Sequence, residues 1–129
     1  MKLLDTMVLV GAMNPTDKHH RTSMMYLKEL RTSETTHVPT STLIEFDLVM
    51  RNKGYAEEEI AETWRALSSL VEDNYVATTL SAHLTAALFR AKGLTYFDSL
   101  ITALAAESNA IVVTRDDAIS QHVDTEWKR

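Results

Sequence analysis

The sequence predicts an α/β fold, with a parallel sheet covered by helices on both faces. Three observations carry this. Short apolar or β-branched segments alternate with longer stretches of helical periodicity, the order from which layered α/β architectures are built. The segment Ala110-Ile111-Val112-Val113-Thr114 is a continuous apolar run, as in a strand buried on both faces of a parallel sheet. Only three Gly and two Pro punctuate the 129 residues, so the connections are short.

Leu3-Leu4 reads as a short buried strand ending at Asp5, and residues 6–13 as an apolar helix stopped near Asn14-Pro15. Residues 17–31 are helical, with Met24, Leu27 and Arg31 on one stripe. Residues 35–38 form a β-branched strand that Pro39 ends. Residues 40–52 form a helix that is apolar on most sides, through Leu43, Ile44, Phe46, Leu48, Val49 and Met50; Lys53-Gly54 closes it. The clearest amphipathic helix covers residues 57–73, where Ile60, Trp64, Leu67 and Val71 make one core stripe. Its acidic start, Glu57-Glu58-Glu59, suits the positive end of the helix dipole. Residues 75–78 read as a strand. Residues 81–92 form a helix with Leu84, Ala87, Leu88 and Ala91 inward, capped by Gly93. The helix over residues 97–108 turns Phe97, Leu100, Ile101 and Leu104 to the core. After the strand at 110–114, the tail from Ala118 adds a short helix and an edge strand around His122-Val123.

With 45% hydrophobic and 24% charged residues, residues 1–129 have the profile of a single globular domain with a real core. The absence of cysteine excludes disulfides, thiolate metal sites and a cysteine nucleophile. Asp5 interrupts the N-terminal apolar run, which makes it a poor signal peptide. No run approaches the roughly 20 apolar residues of a membrane span. We therefore expect a cytoplasmic protein with no membrane association. The net charge of −5 argues against binding nucleic acid by bulk electrostatics, but leaves room for a nuclease with local cations.

Asp5, Glu45, Asp98 and Asp116 recur in one local setting, just past an apolar strand or in the first turns of an apolar helix. Each alone reads more simply as a helix cap. Thr42 to Glu45, Thr95 to Asp98 and Thr114 to Asp117 all fit the capping-box pattern, and Asp5 fits an N-cap. Together they say more. In open parallel sheets, ligands bind outside the carboxyl ends of the strands, where Asp5 and Asp116 fall. Glu45 lies on a helix apolar nearly all round, an unexpected place for a solvated acid. Converging carboxylates raise one another's pKa, and their oxygen-rich set suits Mg²⁺ or Mn²⁺. Asp117 is a further candidate ligand, or else a cap, and Asp47 another acid among apolar positions.

These residues carry a resemblance. The chain resembles PIN-domain ribonucleases, specifically the small VapC-type toxins. The resemblance runs through Leu3-Leu4-Asp5-Thr6, Ser41-Thr42-Leu43-Ile44-Glu45, the stretch from Gly93 to Ala105 centred on Tyr96-Phe97-Asp98, and Ile111-Val112-Val113-Thr114-Arg115-Asp116. It implies a three-layer α/β/α fold around a parallel sheet of about five strands. It also implies Mg²⁺- or Mn²⁺-dependent cleavage of RNA, with Asp5, Glu45, Asp98 and Asp116 as the acidic site. Thr114 would support that site by hydrogen bonding, and Thr6 stands where the family often has a small hydroxyl residue. A small antitoxin protein and a homodimer are the implied partners. The family often has an aromatic residue three positions after its last motif Asp; here that residue is Ile119.

Candidate RNA contacts are Arg115, Arg51, Lys53, Arg90 and Lys92, with Arg115 foremost between Thr114 and Asp116. Any one of them alone reads more simply as a solvated helix end. Adjacent His19-His20 cannot share a helix face as a metal pair. Met24-Met25-Tyr26 could line a partner groove, although core packing is the simpler reading. Three competing readings remain: a PIN nuclease for RNA processing or quality control without an antitoxin, a non-catalytic RNA-binding module, and a phospho-acceptor signalling domain. The last needs an acceptor Asp at the end of the middle strand, and the stretch Tyr75-Val76-Ala77-Thr78, taken as that strand, offers none.

Overall fold

A computed structural model describes residues 1–128. Five parallel strands, β1 (Lys2–Leu4), β2 (Thr36–Pro39), β3 (Tyr75–Val76), β4 (Ile111–Val113) and β5 (Thr125–Glu126), form one sheet in the order β3-β2-β1-β4-β5. Seven helices cover it: α1 (Thr6–Met13), α2 (His20–Thr32), α3 (Thr40–Asn52), α4 (Glu57–Val71), α5 (Leu80–Ala91), α6 (Tyr96–Ser108) and α7 (Asp117–Ser120). This is the expected three-layer α/β/α architecture.

Alternation along β1 divides the core. Leu4 points into the larger cluster, with Val8, Leu9, Tyr26, Leu27, Phe46 and Ile60 from α1 to α4. Leu3 points the other way, towards Ile101, Leu104 and Ile119 of α6 and α7. Strand order reverses between β1 and β4, which opens a crevice beyond their carboxyl ends. Asp5 and Thr114 stand at that crevice.

α1 approaches α2 closely at Gly11, where an added Cβ would lie 2.3 Å from Ser23 Oγ. α2 begins at His20 rather than Asp17. The Asp17 carboxylate accepts the His19 backbone N–H at 2.7 Å, and the chain turns there before the helix starts.

Three expectations are corrected. First, α5 turns its other face inward. Ala82 and Ala86 are buried with Leu100 and Ala103, whereas Leu80, Leu84 and Leu88 are 89%, 69% and 61% exposed. Small residues allow α5 to lie close on α6, and periodicity alone cannot choose between an alanine face and a leucine face. Second, the last strand is Thr125–Glu126, pairing with Val112 and Val113. Val123 instead packs into the cluster beneath α7. Third, Met24 and Tyr26 belong to the core, so the stretch Met24-Met25-Tyr26 lines no partner groove.

Candidate active site

Asp5 leaves β1 as the N-cap of α1. Its Oδ1 accepts the Thr6 backbone N–H at 2.8 Å, and its Oδ2 accepts the Thr114 hydroxyl at 2.8 Å. The side chain is both a cap and a wall of the crevice. Thr114 Oγ1 in turn accepts the Asp116 N–H at 3.1 Å, so one hydroxyl ties the end of β4 to the end of β1. Asp116 caps α7, accepting the Ala118 N–H at 2.8 Å.

Thr42 makes no cap bond. Its hydroxyl donates to the Leu4 carbonyl at 2.9 Å, which pins the first turn of α3 to the end of β1. One turn further along, Glu45 accepts a hydrogen bond from the Thr6 hydroxyl. Asp98 occupies the first turn of α6, within reach of the Asp116 and Asp5 charges. Six elements, β1, α1, α3, α6, β4 and α7, thus bring four acids, dispersed in sequence, to one edge.

The electrostatics report this convergence. Burial pushes the Asp5 carboxyl up to about 6, against the opposing pull of the Thr114 and Thr6 hydrogen bonds, and the Glu45 and Asp116 charges push it further. Burial likewise raises Asp98; the Thr95 hydrogen bond opposes this, and the Asp116 and Asp5 charges reinforce it. Glu45 is raised by burial and by Asp98, with Thr6 opposing. Among the described residues, no Lys or Arg acts on Glu45.

The donor set fits a hard divalent cation. It consists of carboxylates and hydroxyls, it is partly dry, and its charges repel one another. Among the described residues, no three His, Cys, Asp or Glu side chains close into a preformed metal cage. A Mg²⁺-type ion does not need one, because it is commonly held by one or two carboxylates and keeps several waters.

Asp47 lies apart from this group. It accepts from Trp64 Nε1 at 2.9 Å and Arg51 Nε at 2.7 Å, and these bonds hold its carboxyl below the usual range. Arg51 also pairs with Glu57. Lys53 caps α3 beside Met13, Asn14 and Tyr55. The structure does not bring Arg51 or Lys53 to the acids, because both sit at the end of α3 that points away from the crevice. Asp117 is exposed and lines a cleft with Asp116 and Arg115. Arg90 and Lys92 end α5 next to the start of α6. Arg90 donates to Ser99 Oγ at 2.8 Å, while Lys92 is exposed with its ammonium over the Phe89 ring.

Sequence reasoning missed Trp127 and Met7. The Arg115 guanidinium lies 4.7 Å above the Trp127 ring, with Nε 3.4 Å from Met7 Sδ. Nothing local to either residue marked it, since the contact joins α1 to the residue just after β5.

With this geometry in place, the comparisons are specific. Residues 2–124 match the PIN domain model, and the chain belongs to that family. PIN domains are generally nucleases. No curated protein sequence matches significantly. Among solved structures, the chain is similar to VapBC2 from Rickettsia felis bound to a DNA fragment from their promoter: TM-score 0.76 and 19% identity over 98% of each chain. It is also similar to FitAcB from Neisseria gonorrhoeae (TM-score 0.72, 18% identity, 97% of this chain and 96% of that one). The DNA-bound VapBC from Salmonella typhimurium gives a TM-score of 0.71 at 17% identity, over 97% of this chain and 96% of that one. At these identities the likeness is one of fold.

Family membership also sets aside the phospho-acceptor reading, which the argument from residues 75–78 did not. β3 is an edge strand; the middle strand is β1, and Asp5 follows it.

Proposed function

We propose that this protein is a divalent-cation-dependent endoribonuclease, the toxin of a toxin–antitoxin pair. One observation carries the nuclease reading: four carboxylates from separate elements meet at the switch point of the sheet, and three of them are driven towards protonation by burial and mutual repulsion. Such a pocket is incomplete without positive charge.

Asp5, Glu45, Asp98 and Asp116 would hold Mg²⁺ or Mn²⁺, directly or through water. Bound there, the ion would lower the pKa of an attacking water and neutralise phosphoryl charge. Thr114 keeps Asp5 oriented through Oδ2, and Thr6 keeps Glu45 turned towards the crevice. An acid of the set would accept the proton that water loses as the P–O bond forms, a proton would pass to the departing 3′-oxygen as the P–O3′ bond breaks, and no side-chain nucleophile is required. The expected products carry a 5′-phosphate and a 3′-hydroxyl.

Two further features fit the partners. The exposed Leu80, Leu84 and Leu88 form an i, i+4, i+8 stripe that suits a homodimer contact. The apolar groove between α3 and α4, lined by Leu43, Trp64, Leu67 and Val71, suits an antitoxin segment. The fold likeness to VapBC and FitAcB, whose names denote complexes, supports this reading over a partnerless RNA-processing enzyme.

The test is overexpression with and without Asp5→Asn, followed by mapping of cleaved RNA ends. Cleavage by the wild type alone, with 5′-phosphate ends, supports the proposal. Cyclic phosphate ends, or full activity in EDTA, would exclude the mechanism.

A further inference from the structure

Two guanidiniums stand beside the acidic pocket in the same unusual state, each held by an aromatic ring and neither paired with a carboxylate. Arg115 lies over Trp127, and Arg90 lies over Tyr96 at 5.1 Å. Neither forms an ion pair among the described residues; Arg31, Arg51 and Arg65 do, and Arg21 has neither an ion pair nor a ring contact there. Arg115 passes over even its sequence neighbours Asp116 and Asp117. Each ring has aromatic neighbours of its own. Trp127 meets His19 edge-on at 5.8 Å and the buried Tyr26 at 5.5 Å, while the Tyr26 hydroxyl accepts the Lys128 N–H at 2.8 Å. Tyr96 meets Phe97 edge-on at 5.3 Å.

The two arms lie on opposite sides of the sheet. Trp127 packs against the α1–α4 cluster, and Phe97, beside Tyr96, packs against the α5–α6 cluster. The acids lie between them, at the ends of β1 and β4. Arg90 spends an Nη1 N–H on Ser99 Oγ and Arg115 its Nε–H on Met7 Sδ; the remaining N–H donors, at the edge of each stacked plane, are open to a planar or tetrahedral anion. The cleft beside Arg115, about 220 Å³, is open to one.

We propose that Arg115 and Arg90 form a two-armed clamp for the phosphates flanking the scissile one, with Trp127 and Tyr96 as the positioning residues. The clamp rests on the nuclease reading and gives the substrate a course, as a single strand laid across the sheet edge from one helical layer to the other. It also accounts for how an acidic protein binds RNA, since the positive charge is placed at two points.

The test measures binding of a labelled single-stranded RNA by fluorescence anisotropy in Mg²⁺ over a KCl series. Asp5→Asn is the common background, to prevent cleavage. A phosphate contact on a single strand contributes about 0.7 to the slope of log K on log salt. Arg115→Gln and Arg90→Gln should each lower the slope by about 0.7, and the double variant by about 1.4. Trp127→Leu should match Arg115→Gln, add nothing when combined with it, and be rescued by Trp127→Phe. In the native Asp5 background, the same variants should raise KM with little change in kcat. If the ring variants lose affinity at unchanged slope, the rings stack on bases and the clamp is overturned. Unchanged slopes for both arginine variants overturn it too, even if the wild type cleaves RNA. A wild type that neither binds nor cleaves RNA removes the clamp and the nuclease reading together.

Discussion

Glu45 and Asp47 sit two residues apart on α3, yet their carboxyl groups are driven in opposite directions. Glu45 faces the crevice, where burial and the Asp98 charge raise its pKa. Asp47 faces the α4 side, where the Trp64 indole N–H and the Arg51 guanidinium lower it. One carboxylate is satisfied by the fold. The other has no basic partner among the described residues. The difference separates the acids of the proposed site from a structural one: the former are those that the surrounding protein does not neutralise.

The sharpest way to break this contrast is to remove one member of each set. Asp5→Asn should lower RNA cleavage by at least about 100-fold, the scale of losing one electrostatic element of a catalytic site, while circular dichroism shows an intact fold. Asp47→Asn should leave cleavage unchanged. Comparable loss in both would mean that the two carboxylates are not distinct in kind.

Proton linkage gives the next largest effect. Asp5 has its folded pKa raised to about 6, from an ordinary 3.8. Between these values the folded state binds more protons than the unfolded state, so cation-free stability falls as pH rises from about 4 to 6. The loss is on the order of 3 kcal/mol at most from this group, and Asp98 and Glu45 act in the same direction. Denaturant titration in EDTA at several pH values reads it directly. Mg²⁺ should restore stability above pH 6 and do little near pH 4. A cation-free stability that climbs over this interval contradicts a repulsive pocket.

Packing supplies a smaller effect away from the site. Gly11→Ala should destabilise by about 1–3 kcal/mol, because its Cβ would collide with Ser23 Oγ. Thermal unfolding measures this, and an unchanged melting temperature would show that α1 and α2 can separate freely.

The smallest effect on folding is expected at Leu84. Leu84→Ser should change the stability of the monomer by no more than about 0.5 kcal/mol, as at other exposed positions. In sedimentation equilibrium the same change should weaken self-association. A large loss of monomer stability would place the stripe in the core after all.

The sequence by itself determined the fold class and the element order, and it singled out the four acids proposed as the site. Hydrophobic periodicity is written locally, and each acid stands beside a strand end or helix start that could be read within a few residues. It could not show whether those acids were caps or a pocket, and Asp5 proves to be both. Only the tertiary structure decided that Thr42 binds the Leu4 carbonyl rather than capping α3, that Thr114 joins the ends of β4 and β1, and that Asp47 turns away from the crevice. It also decided which face of α5 is buried and brought Trp127 under Arg115. The physical reason is the same throughout. A side chain's role is fixed by partners that arrive from distant segments, and no local pattern encodes which of several allowed partners the completed packing will supply.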